Sequence, residues 1–142
     1  LIRTLADLCS GAIQPRPQAN SLATYAPILK KEDGRIDWSN PAQQIHDLIR
    51  GFQPWPGAHT SFRGQSLHLW RARLVPEFSD TTILAPGTLL HKRGVFAVGG
   101  DGAVLELLEV QLEGRKKMTA DVFANGHRIG SKSLTTFDQL GA

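Results

Sequence analysis

The chain has 142 residues, 41% of them hydrophobic and 20% charged, enough for one domain with a buried core. Ordinary apolar content with scattered Gly (14) and Pro (8) excludes disordered and collagen-like classes, and no apolar run approaches the ~18 residues of a membrane span. The single cysteine, Cys9, excludes an internal disulfide and a Cys-based zinc site. Lys and Arg outnumber Asp and Glu 16 to 13, a formal charge of +3. The excess is uneven: residues 1–75 carry nine basic and five acidic side chains, residues 76–142 seven and eight. A mild basic bias permits a nucleic-acid or phosphate partner without demanding one.

Leu1, Leu5 and Leu8, continued by Ala12, predict an amphipathic helix over 1–13, stopped by Gly11 and Pro15-Arg16-Pro17. A chain that opens inside such a helix reads as the C-terminal part of something longer. Residues 14–29 have no period and linker composition, and the linker is expected to run to residue 37. Ile36 and Trp38 alternate with Asp37 as in a short strand. Asn40-Pro41 then predicts a helix start, with Asn40 as cap, Pro41 at the first helical position and Gln43 reaching back. Ile45, Leu48, Ile49 and Phe52 form its buried stripe, and Pro54 and Pro56 end it.

Beyond Gly57 the pattern is strand-like over 58–62, 67–75, 88–91, 95–98 and 103–112. Tight connections are expected at Arg63-Gly64-Gln65, Lys92-Arg93-Gly94 and Gly99-Gly100-Asp101-Gly102. A short helix over 119–124 should end at Asn125-Gly126. The fold class predicted is mainly β with flanking helices (α+β). It is a small OB-like Greek-key barrel over 38–142, preceded by a helix and an extended linker.

No catalytic, cofactor-binding or metal-ligating set is legible. The five histidines (46, 59, 68, 91, 127) lack metal-site spacing, and Cys9 has no local activator and reads as a half-buried thiol. Asp37 and Asp47 read as surface carboxylates. Glu106, Glu109 and Glu113 fall at mixed strand parities and are expected to be solvated. The glycine-rich 99–102 segment lies between strands and reads as a turn, not a phosphate loop. The candidate functional groups are cationic: Arg115, Lys116 and Lys117 on one turn, Arg71 and Arg73 on one strand face, Arg63 at a hairpin, and the pair Lys30 and Lys31. Lys92-Arg93 adds a further pair. Trp38, Trp55 and Trp70 each sit in apolar patterns, so core packing is expected over base stacking.

The segments Ala23-Thr24-Tyr25-Ala26-Pro27, Lys31-Glu32 and Arg35-Ile36-Asp37-Trp38 resemble the linker and entry segment of methionyl-tRNA formyltransferases. The run from Arg50 to Ala58 resembles that family's RAFNPWPGA. Pro86-Gly87-Thr88 matches its PGT, and Gly100-Asp101-Gly102 with Leu107-Leu108 its GDG hairpin. Gln111 with Gly114-Arg115-Lys116 through Met118 resembles LQxxGKKxM, and 121–126 resembles DFLNG.

The resemblance spans essentially the whole chain. It implies the last helix of a formyltransferase domain (1–13), an inter-domain linker (14–37) and the C-terminal barrel (38–142). It also implies a donor, 10-formyltetrahydrofolate, used by a domain whose Asn, His and Asp constellation and HxSLLPxxxG motif have no counterpart here. The chain alone is therefore expected to be catalytically inert. The acceptor implied is methionyl initiator tRNA, its acceptor arm held by basic residues beside the catalytic domain, in a monomeric protein of the bacterial cytoplasm. Arg115 and Lys116 fall where the family has its GKK lysines, and Lys31 at its linker lysine. Ile28 stands at the other linker lysine, and Lys30 replaces a small polar residue. Related barrels serve as scaffolds without a nucleic-acid partner in 10-formyltetrahydrofolate dehydrogenases and sugar-amine formyltransferases, and a free-standing OB-type nucleic-acid module is a third reading.

Overall fold

The computed structural model describes residues 2–75, 84–130 and 135–138. Leu1, the first member of the expected helical stripe, lies outside them. Helix α1 (Ile2–Cys9) has no buried residue, so Leu5 and Leu8 face outward, and Cys9 is exposed rather than half-buried. Exposed chain follows through residue 33, with a single 3-10 turn at Asn20–Leu22 and another at Lys31–Gly34. Burial begins at Gly34 and Ile36, inside the expected linker. Arg35 makes a parallel bridge to His59, which replaces the expected short strand at 36–38.

Strands β1 (His59–Phe62), β2 (Gln65–Val75), β3 (Thr88–His91), β4 (Val95–Val98), β5 (Val104–Leu112), β6 (Met118–Thr119) and β7 (Thr135–Thr136) form one antiparallel sheet. Its order is β1-β2-β5-β4-β3-β7, with β6 added on β5. Three hairpin-linked strands, β3 to β5, with β2 returning beside β5, make a Greek key. The sheet curls until Ser61 bridges Asp138, whose amide donates to the Ser61 carbonyl at 2.9 Å, so the last described residues nearly close the barrel. The Asp138 carboxylate accepts from Ser61 Oγ and from the amides of Arg63 and Gly64. The Gly64 amide and the Ser61 hydroxyl hold its pKa below the usual carboxylate value. The connection expected at Arg63-Gly64-Gln65 is a two-residue loop, Arg63-Gly64, with both φ positive (51° and 76°), the geometry that matches strand twist, and Gln65 already belongs to β2.

Helix α2 (Ala42–Gly51) packs Ala42, Ile45 and Ile49 into the barrel, with Leu48 half-buried against the core. Its cap corrects the local expectation. Pro41 is the cap position with extended ψ (143°), and Gln43 turns forward to donate to Asp47 rather than back. The first helical amide, Ala42 N–H, donates to Asp101 Oδ1 at 3.1 Å, and Asn40 instead gives its carbonyl to the Gly100 amide. The β4–β5 hairpin thus caps a helix 59 residues upstream. Asp101→Ala is expected to cost about 1–2 kcal/mol, as for lost helix caps. A lowered urea midpoint at constant slope checks this, and an unchanged midpoint refutes the capping role.

Helix α3 (Ala120–His127) starts on the Thr119 hydroxyl, which accepts from the Val122 amide. It runs past the expected stop at Asn125-Gly126, because Arg128 takes the left-handed position (φ 54°) and Ile129 N–H returns to the Ala124 carbonyl at 2.9 Å. That closure buries Ile129, as C-terminal caps of this kind do.

Candidate nucleic-acid interface

The longest strand pair, β2 with β5, sets which side chains face out. Leu67 and Leu69 point into the core, but the next inward residues of β2 are Ala72 and Leu74, three positions on rather than two. On β5 the inward set is Leu105 and Leu107, then Val110 and Leu112. Register shifts between Leu69 and Ala72 account for both slips, since each strand gains an unpaired residue there, Trp70 on β2 and Leu108 on β5.

Two expectations are overturned by this bulge. Trp70, expected in the core, does not share a face with the inward Ala72 and Leu74. It is half-buried on the outer surface beside His68, the ring centroids 6.4 Å apart. Glu106 and Glu109, at opposite parities in sequence, share that outer face and are half-buried rather than solvated. Arg73 pairs with Glu106 at 2.5 Å and Arg71 with Glu109 at 3.3 Å, directly across the ladder.

Trp55 also departs from the expected core placement. It is 59% exposed, because the Gly57 amide closes back on the Phe52 carbonyl at 2.9 Å and leaves Trp55 at the tip of the loop. Trp38, by contrast, is 2% exposed and belongs to the core as expected.

The cationic residues separate into distinct groups. After β5, Gly114 turns the chain, Arg115 N–H donates to the Leu112 carbonyl at 2.9 Å, and Gln111 Nε2 donates to the Arg115 carbonyl at 2.8 Å. This turn leaves Arg115 and Lys116 exposed, and among the described residues neither forms an ion pair with a carboxylate. Lys117 turns back onto the sheet, with Nζ 2.7 Å from Glu109 and 5.0 Å from the Trp70 ring centroid. The Lys117 ammonium, with Arg71 beside it, holds the Glu109 carboxyl below its ordinary pKa. Arg71, Arg73 and Lys117 are therefore engaged with strand carboxylates. Arg73 also lies six residues along β2 from Leu67, the partner of Leu112, a span of roughly 20 Å at strand rise. Arg63 lies over its neighbour Phe62, its guanidinium carbon 4.9 Å from the ring centroid. Lys30 gives its amide to Asp33, whereas Lys31 reaches the same end of the barrel as the 114–116 turn.

Lys31, Gly114, His68, Trp70 and Gln111 line one hollow of about 310 Å³ there. Burial, then the charges of His59 and Lys31, push the His68 pKa down, so its ring is neutral at neutral pH. The sequence alone assigns His68 and Gln111 no binding role, although Gln111 belongs to one of the family motifs and the three-residue gap between Leu69 and Ala72 carries the signal of the bulge that turns this face outward.

By architecture the molecule is a small, nearly closed Greek-key barrel with flanking helices. A family model described as formyl transferase, C-terminal domain, matches residues 28–128, and the chain belongs to that family. It is 55% identical over 141 residues to the methionyl-tRNA formyltransferase of Solibacter usitatus, covering 99% of this chain and 42% of that protein. It is 48% identical over 142 residues to that of Koribacter versatilis, with the same coverages. The chain thus spans about two-fifths of the length of these relatives. Among solved structures, a variant of HypX from Aquifex aeolicus superposes with a TM-score of 0.62 at 19% identity, over 98% of this chain and 24% of that one. HypX in complex with tetrahydrofolic acid gives 0.58 at 20% identity, over 87% and 22%. At such identity the likeness is one of fold.

Proposed function

We propose that this chain is the tRNA-holding C-terminal part of a methionyl-tRNA formyltransferase. In this reading the whole enzyme moves a formyl group from 10-formyltetrahydrofolate to the amino group of methionyl initiator tRNA. The chemistry takes place in a separate domain, and these 142 residues are inert alone. The protein acts as a monomer in the bacterial cytoplasm. The relatives' names support the reaction. The observation that carries the role of this part is the 114–116 turn. Glu106 pairs with Arg73 and Glu109 is shared by Arg71 and Lys117, while Arg115 and Lys116 stay exposed on a turn whose backbone is held by its own hydrogen bonds. Adjacent like charges repel and add nothing to the fold. Opposite phosphates they release counterions. Lys31, at the same end, extends the cationic surface, and Lys30 adjoins it in the chain. Arg71 and Arg73, held by strand carboxylates, are peripheral to it, whereas the charge of Arg63 acts on His127, which lines a hollow together with Arg115.

Binding by this chain is expected to be salt-sensitive, largely sequence-independent and no tighter than the ~10⁻⁴–10⁻⁶ M of non-specific contacts. Replacing Arg115 and Lys116 together with Ala should reduce the log–log salt slope by about one unit per lost phosphate contact, with melting nearly unchanged. Titration with tRNA at three salt concentrations checks this. Equal slopes for both proteins remove the turn from the interface. Absence of binding at low salt favours a scaffold domain of a small-molecule formyltransferase.

A further inference from the structure

The hollow beside the cationic turn has features that phosphate contacts alone do not explain. Its volume, about 310 Å³, lies at the small end of the ~300–1,000 Å³ range of ligand pockets. Two flat rings, those of His68 and Trp70, line it, tilted 30° from each other on the outer face of β2. An outward, half-buried indole contributes less to the core than an inward one, so its placement calls for another account.

That indole is also held in position. Trp70 Nε1–H donates to Gln111 Oε1 at 3.0 Å, and Gln111 Nε2 donates to the Arg115 carbonyl at 2.8 Å. One side-chain relay therefore ties the ring to the turn that presents Arg115 and Lys116. The Lys117 ammonium lies 5.0 Å from the ring centroid and is itself anchored on Glu109. His68 is neutral, through burial and the neighbouring charges, and offers a ring without a net charge. Ser66 and Gln111 add polar groups to the lining, Lys31 adds a cation and Glu113 a carboxylate. Flat rings and a few polar groups suit a base, and Lys31 in the lining, with Arg115 and Lys116 on the turn that begins at its edge, offers positive charge to a phosphate held away from Glu113.

We propose that this hollow takes one unpaired nucleobase of a bound RNA, stacked against Trp70 and His68, with the adjoining phosphate drawn to Lys31 and the 114–116 turn. The inference rests on the RNA-holding reading above and adds to it a stacking site for a single unpaired base. Duplex RNA, whose bases are already stacked, gains nothing from the hollow, whereas a single strand does. The chemistry recognised, a heterocycle joined to a phosphate, is shared by a free mononucleotide, so the test separates the two sources.

The intact chain is titrated with AMP, ribose 5-phosphate and inorganic phosphate while the Trp70 indole and His68 ring resonances are followed by NMR. AMP is expected to shift both rings, and the two base-free phosphates are expected to leave them in place. Affinity for a single-stranded RNA octamer is then measured for Trp70→Ala, Trp70→Phe and Ser66→Phe, the last filling the hollow without removing a cation. Trp70→Ala and Ser66→Phe should lose about 5- to 150-fold in affinity, the range of base–aromatic stacking, with the salt slope preserved. Trp70→Phe should retain most of the binding. Failure of AMP to shift either ring, or wild-type octamer affinity in folded Ser66→Phe, overturns the proposal. AMP binding without RNA binding at any salt also overturns it as a site for RNA, and with it the RNA-holding reading, leaving a mononucleotide pocket. RNA binding that responds to Arg115 and Lys116 but not to Ser66→Phe overturns the hollow alone.

Discussion

Trp38→Ala is expected to lower stability by about 3–5 kcal/mol, the cost of truncating a large aromatic in a packed core. The indole is 2% exposed and stacks on Phe137 at 4.8 Å between centroids, 14° from parallel. Its Nε1–H donates to Thr60 Oγ1 at 3.0 Å, inside a core in which Thr60 is itself buried. Truncation opens a cavity, removes the stack and leaves a buried hydroxyl without its donor. Domains of this size are stable by only ~5–15 kcal/mol, so the variant should sit near the edge of folding. Trp38→Phe retains most of the stack and loses the hydrogen bond, for an expected cost of about 1–3 kcal/mol. Trp55→Ala, on an exposed loop tip, should stay within about 0.5 kcal/mol of the parent. Urea unfolding of the three variants tests the ordering. Equal losses for Trp38→Ala and Trp55→Ala would refute the assignment of Trp38 to the core and Trp55 to the surface.

Gly100→Ala is expected to cost about 3 kcal/mol or more, at or beyond the upper end of ordinary overpacking. A Cβ there would overlap the carbonyl oxygen of Ser39, and the backbone has no flexible side chain that can yield. Relief requires the β4–β5 hairpin to retreat from α2. Retreat breaks the Gly100 amide to Asn40 carbonyl bond (2.8 Å) and withdraws Asp101 from the Ala42 amide, so steric and capping losses arrive together. Gly126→Ala provides the contrast. Gly126 lies within α3 with nothing inside 4 Å of the added carbon, so the same change should stabilise by about 0.5–1 kcal/mol. Denaturation midpoints moving in opposite directions confirm the argument, and a neutral Gly100→Ala defeats it.

Much of the molecule is readable from local pattern. The buried Ile45 and Ile49 of α2 (though not Phe52, which caps the helix and is half-buried), the Arg63-Gly64 hairpin, the turn at Gly99-Gly100-Asp101-Gly102 and the exposed cations at Arg115 and Lys116 all follow from residues within a few positions of one another. Helical period, positive-φ turn chemistry and the cost of burying charge act over that range. The family resemblance was legible for a different reason: its motifs are spread in order along the chain, and the match to residues 28–128 bears it out.

What local pattern could not supply depends on pairing between distant segments. Alternation along β2 places Trp70 inward until β5 is laid beside it, because a bulge is a property of two strands and not of one. The same bulge brings Glu106 and Glu109 to one face and so decides that Arg71, Arg73 and Lys117 are paired with carboxylates, whereas among the described residues Arg115 and Lys116 are not. The cap of α2 reads as Asn40 by propensity and is supplied by Asp101, since an amide at a helix start accepts any oxygen that packing delivers. Composition, turns and element order are thus determined residue by residue. Which ring faces solvent, which cation stays unpaired and which carboxylate caps a helix are settled only when the barrel curls shut, because each depends on a partner far away in the chain.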